Sequence, residues 1–179
     1  MKGSHIYEIG DHGGLIVMAS DQEATNKIYY SWDEGLSWEE FLFSEDKIEV
    51  TNIIIEPSNT SQKFIIYGET TLKSGQKKQG VLISIDFSSV HQRECQGADD
   101  PTDPDSDYEL WTPNGRISPD CLLGRSITYT RRKREAKCFN PEQWERVKYV
   151  KNCECTEEDW ECDEGFVRHG DGECIAENG

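Results

Sequence analysis

All seven cysteines of this 179-residue chain lie after position 94: Cys95, Cys121, Cys138, Cys153, Cys155, Cys162 and Cys174. No other feature constrains the fold so strongly. A shift that abrupt sets a boundary near residue 93, with a cysteine-free unit over 1–93 and a cysteine-rich one over 94–179. Seven cysteines in about 85 residues is the density of a small extracytoplasmic module, stapled by disulfides rather than by a large core. A zinc site on Cys153, Cys155 and Cys162 is the rival. No CxxC pair occurs and His169 is the only histidine nearby, so bridges are expected and a metal is not. Spacing does not select the pairing, and the odd count leaves one thiol free or partnered elsewhere. Cys153 and Cys155 need different partners, because a bridge between residues so close would be strained.

The cysteine-free unit alternates short apolar runs with turn signals: SHIYEI, GLIVMAS, KIYYSW, WEEFLF, KIEVTNIII, KFIIYGE and GVLISIDF. Runs of this length and spacing predict an all-β fold. They also repeat. GLIVMAS, a polar linker and KIYYSWDEG are echoed about fifty residues later by KFIIYGE, the linker TTLKSGQKKQ and GVLISIDFS. This sets Ser31-x-Asp33 on Ser84-x-Asp86. Units of that period, each of about four strands, read as β-propeller blades, and two of them cannot close a ring.

Beyond position 93, residues 97–109 (GADDPTDPDSDYE) read as a solvated acidic loop. Five aspartates invite calcium, but the ligand ladder and central glycine of a calcium loop are missing. DYELW, SITYTRRKR and WERVKYVK then read as small strands held by bridges. Arg131-Arg-Lys-Arg134 is the one basic run, either a processing site or the exposed edge of a strand, and the edge is the simpler expectation.

The stretch SWDEGLSW fits the Asp-box, Ser-x-Asp-x-Gly-x-Ser/Thr-Trp, at each defined position. Its logic is that of a hairpin turn. The Asp33 carboxylate accepts hydrogen bonds from turn N–H groups, and Gly35 supplies a positive φ. Trp38 folds back to pin the turn, and Ser31 bonds locally. All four roles are structural.

Charge and residue supply exclude several functions. A net charge of -16 opposes binding to nucleic acid or to an anionic membrane face. The start, MKGSHIYEIGDHGG, is no signal peptide, and no apolar run reaches the roughly 18 residues that span a bilayer. A sialidase needs an arginine cluster, whereas residues 1–93 hold only Arg93. His5, His12, His91 and His169 lack any nucleophile–base motif, so no catalytic residue and no cofactor is expected. Asn59-Thr-Ser61 is an N-glycosylation sequon, meaningful in a secretory lumen.

Taken together, these segments resemble the sortilin family of sorting receptors, whose members include the fungal receptor for vacuolar hydrolases. The resemblance rests on YEIGDHGGLIVMA (7–19), YSWDEGLSW (30–38), IDFSSVHQREC (85–95), DYELWTP (107–113), CLLGRSITYTRRK (121–133) and CECTEEDWECDEGFVRHGDGEC (153–174). It implies a ten-bladed β-propeller followed by two small cysteine-rich modules, of which this chain looks like the last two blades and the first module. It also supplies the bridges Cys95–Cys138, Cys121–Cys153 and Cys162–Cys174, with Cys155 reaching toward the absent second module. Function enters as an expectation: part of a type I membrane receptor in the Golgi, endosome and vacuole lumen, carrying soluble hydrolases as protein or peptide cargo. The family's cargo surface lies on blades outside this chain, so no ligand-binding residue is carried over. The alternative is a sialidase-like, non-catalytic glycan-binding propeller fragment.

Overall fold

The computed structural model describes residues 3–71, 78–113, 121, 123–141, 145–156, 159–170 and 172–177. The middle of the expected linker (72–77) and Trp144 of the segment WERVKYVK lie outside the described residues. Among those described, every regular element is a strand apart from a 3-10 turn at Asp11–Gly13 and a 3-10 residue at Asp159. The chain is all-β.

Strands β1 (His5–Gly10), β2 (Leu15–Ser20), β3 (Lys27–Ser31) and β4 (Glu39–Leu42) form one antiparallel sheet in chain order. A second sheet holds β5 (Glu49–Ile54), β6 (Lys63–Thr71) and β7 (Lys78–Asp86), also in chain order. The period-two pattern decides which face goes inward. Leu15, Val17 and Ala19 of β2 are fully buried while the residues between them are not. They meet Ile28 of β3, Val50 and Ile53 of β5, Phe64 and Ile66 of β6, and Ile85 of β7 in one core. Phe87, just past β7, closes that core with its ring 5.8 Å from Phe64 and 5.0 Å from Tyr30. Full burial of each such side chain contributes about 1.5–3 kcal/mol.

The two middle hairpins are equivalent in register. Ser31 stands opposite Ile16, and Ser84 stands opposite Ile65. Past these hairpins the two sheets diverge. After Asp33 the chain turns back into β4, but after Asp86 it runs on to Cys95. Against about four strands expected per unit, the second sheet has three among the described residues. Asp86 still accepts the Ser88 N–H at 2.9 Å, so the turn chemistry survives without a returning strand.

The cysteine-rich half builds a smaller sheet, ordered β10-β9-β8, from β8 (Tyr108–Trp111), β9 (Arg125–Arg132) and β10 (Val147–Asn152). A short ribbon, β11 (Phe166–Arg168) with β12 (Cys174–Ala176), ends the chain. Its strands of three residues are too short to show an alternation in sequence. Among the described residues, the buried apolar cluster here is Cys95, Tyr108 and Cys138. Disulfides join Cys95 to Cys138, Cys121 to Cys153 and Cys162 to Cys174, and Cys155 is an exposed free thiol. The basic run is not an exposed edge. β9 is the middle strand, and Arg132 is only 8% exposed because its guanidinium turns into the first half of the molecule.

Candidate functional site

The Asp33 turn is tied almost wholly by its own side chains. Asp33 Oδ1 accepts the Ser37 N–H and the Ser31 hydroxyl, both at 2.8 Å, and Oδ2 accepts the Ser37 hydroxyl at 2.5 Å. The buried Ser31 hydroxyl in turn accepts the N–H of Gly35 at 2.8 Å and of Asp33 at 3.3 Å. Gly35 sits at φ 86°, and Trp38 donates its indole N–H to the Gly35 carbonyl at 2.9 Å. Slight burial opposes the Asp33 charge. The hydrogen bonds from Ser37 and Ser31 outweigh it and hold the carboxyl below its usual range. The polar groups of Ser31, Asp33 and Ser37 are thus engaged within the turn itself.

The residues that join the two halves lie elsewhere. Asp11 is fully buried, although it carries a charge and sits at φ 50°. Its Oδ2 takes Arg132 Nη1 at 2.8 Å, and its Oδ1 takes the Asn140 N–H at 2.8 Å. Asn140 also donates its side-chain N–H to the Asp11 carbonyl at 2.7 Å and accepts the buried Tyr108 hydroxyl at 3.2 Å. Arg132 completes its fork on the carbonyls of Cys138 (2.9 Å), Gly14 (2.7 Å) and Trp32 (2.7 Å). Burial pushes Asp11 above the usual carboxylate range, while the Arg132 charge and the Asn140 N–H pull it back. Gly14 is required by close approach, since a Cβ there would collide with the Asp11 carboxylate and with Arg132. This cluster locks the second half onto the first.

Beside the lock opens a cleft of about 520 Å³. Its basic lining is Arg131, Arg132, Arg134 and Arg146; its aromatic lining is Trp32, Trp111 and Tyr129. Arg131 stacks over Trp111 at 5.3 Å and Arg132 over Trp32 at 5.4 Å. One acidic side chain enters, Glu34 from the Asp33 turn. It takes Arg134 Nη2 at 2.7 Å and Arg131 Nη1 at 3.3 Å. An arginine cluster absent from residues 1–93 is thus assembled across the junction. Three of its members answer to internal acids: Arg132 to Asp11, Arg134 to Glu34, and Arg131 to Glu34 and Glu109.

The remaining sequence candidates are dispersed. His12 lines the cleft, and His91 packs edge-on against Trp32 at 4.6 Å, its pKa lowered by burial and then by Arg132. His5 bonds to the Gly3 carbonyl near the chain start, and His169 lies beyond β11. Asn59 is exposed on the loop between β5 and β6, its backbone at φ 55°. In the acidic loop, Asp100 accepts Thr102 at 2.6 Å and Asp103 accepts the Asp105 N–H at 2.8 Å, so these carboxylates cap their own turns. Asp107 takes both Arg93 nitrogens, at 2.6 and 2.7 Å. Cys153 and Cys162 are tied up in bridges and are not thiolate donors.

The joint role of Asp11, Arg132 and Asn140 carries no signal in the sequence, where Arg132 stands out only as part of a basic run. Partners 121 and 129 residues apart leave no local pattern, and DHGG reads as an ordinary glycine turn.

A family model described as "Sortilin, neurotensin receptor 3, C-terminal" matches residues 55–179, and a sortilin-Vps10 model matches residues 1–53. Relatives named "Vacuolar protein sorting/targeting protein 10" are 41% identical in Uncinocarpus reesii and 39% in Aspergillus terreus, each over 97% of this chain. The Debaryomyces hansenii relative is also 39% identical. The chain spans only 12% of the length of the first two relatives. With more than half of its residues matched by a single family model, the chain belongs to the sortilin family.

Proposed function

We propose that this chain is the C-terminal part of the cargo-binding luminal region of a vacuolar sorting receptor, comprising the last two blades of a ten-bladed propeller and the first of two cysteine-rich modules. It would work in the Golgi, endosome and vacuole lumen as a non-catalytic piece of a type I membrane receptor that carries soluble hydrolases. The observation that carries this is the end-to-end match to vacuolar sorting proteins, 41% identical over 97% of the chain. Support comes from the self-tied Asp33 turn, suited to an Asp-box hairpin, and from three bridges suited to an oxidising lumen. Exposed Asn59 then becomes a glycan acceptor. The remaining blades and the second module are the implied neighbours, Cys155 bonding to the latter. Among the described residues no helix is long and apolar enough to cross a membrane.

The arginine convergence at the junction is the one feature that favours a glycan-binding fragment instead. Arg132 is committed to Asp11 and three backbone carbonyls, and the carboxylate that the cleft already holds is a peptide side chain, Glu34, which weakens that alternative. Disruption of the encoding gene in its host tests the receptor role. Soluble vacuolar hydrolases should appear in the medium while vacuolar membrane proteins stay in place. Normal retention of every soluble hydrolase would overturn it.

A further inference from the structure

We propose that the cleft between the Asp33 turn and the β8–β9 hairpin is a docking site for an acidic peptide segment, with Glu34 as its built-in competitor. The inference stands on the cleft itself and does not depend on the sorting role. In a chain of net charge -16, four of the 19 basic residues converge on this one concavity. A volume of about 520 Å³ admits several side chains.

Glu34 shows the chemistry the cleft accepts. Its carboxylate, presented from a peptide backbone at φ 60°, lies against Arg134 Nε and Nη2, both at 2.7 Å. Its grip on Arg131 is looser, at 3.3 and 3.4 Å, while Arg131 Nε bonds Glu109 at 2.7 Å. A second carboxylate can therefore engage Arg131 or replace Glu34 without dismantling the lock, because Arg132 and Asp11 sit behind this surface. Two lining residues, Trp32 and Thr130, also carry a polar atom without a partner among the described residues, Nε1 and Oγ1, each closed to solvent. Trp111 and Tyr129, 6.0 Å apart, supply an apolar wall on which the stem of a glutamate or an aromatic neighbour can lie. The stand-in is a peptide side chain, which favours a peptide over an acidic sugar.

The test titrates the full chain, produced in an oxidising compartment, with fluorescent hexaglutamate, alongside hexaglutamine and free glucuronate. Hexaglutamate should bind in a salt-sensitive way despite the negative chain, and hexaglutamine should not. Glu34→Gln removes the competitor and should tighten binding about threefold, whereas Arg134→Glu should weaken it about tenfold or more. Arg168→Ala, in the terminal ribbon, should change nothing. The two cleft variants move in opposite directions, so misfolding cannot imitate the result. Equal binding of hexaglutamine, binding of glucuronate alone, no binding by either wild type or Glu34→Gln, or an unchanged affinity in Arg134→Glu would each overturn the proposal.

Discussion

Asp33 and Asp11 are both aspartates in turns, yet only one of them was legible before the fold was known. Asp33 closes its side-chain bonds between Ser31 and Ser37, so its motif is local and survives in the sequence. Replacing it with alanine should cost about 1–2 kcal/mol, the worth of a capping acceptor. Thermal unfolding would register this as a lowered midpoint, and an unchanged midpoint would refute the structural role. Its pH signature has a definite sign. At Asp33 and Glu56 partial burial opposes the charge, but hydrogen bonds outweigh it and hold both below the usual carboxylate range. Asp107 is held low chiefly by the Arg93 fork. Such groups add stability above their unfolded values, about 3.9 and 4.3, and that stability is lost as the pH falls through their lower folded values. The melting temperature should drop below about pH 4, more shallowly in Asp33→Ala; parallel acid profiles would contradict it. Asp11 is the opposite case, since its partners arrive from the far half of the chain. Two charges buried together gain little net energy, but removing one strands the other. Asp11→Ala should therefore cost about 3–5 kcal/mol, and Arg132→Met in the same background should recover part of it. Additive losses in that double-mutant cycle would show that the pair is uncoupled.

At the scale of elements, short apolar runs between turn signals or cysteines are enough to find the ten larger strands, each of which pairs with a neighbour. β11 and β12 escaped because three residues carry no period. The place of β9 in its sheet escaped for a different reason. A run of four basic residues looks solvated, and only the buried Asp11 carboxylate and three backbone carbonyls make an inward arginine tolerable. Around β9 the apolar cluster is too small to hold the module, so covalent links must carry it. The bridges close separations of 43, 32 and 12 residues, which in the chain-entropy picture contribute about 3–4 kcal/mol each. Peptide mapping without reduction should recover those three links, with Cys155 as the single alkylatable thiol. Cys155 found in an intramolecular bridge would refute the pairing.

For the whole molecule, the boundary near residue 93 separates compositions better than it separates contacts. The first half owns the larger core, but its Asp11, Gly14, Trp32 and Glu34 all complete bonds with arginines of the second. Cut at 93, Asp11 would lose Arg132 and Asn140 and face water or an empty lock. The truncated piece would also keep its open sheet edges, β1 and β4 in one sheet and β5 and β7 in the other, with β7 presenting nine residues. Apolar side chains stand out on these same strands, Tyr7 at 66% and Leu82 at 76% exposure. Unpaired ladder groups beside exposed apolar surface are the conditions for edge-to-edge association. Residues 1–93 expressed alone should therefore be oligomeric or poorly soluble, and should melt less cooperatively than the full chain. Size-exclusion chromatography and an amide NMR spectrum decide the matter: a sharp monomeric spectrum from 1–93 would mean that the arginine lock is dispensable and that the first half folds on its own core.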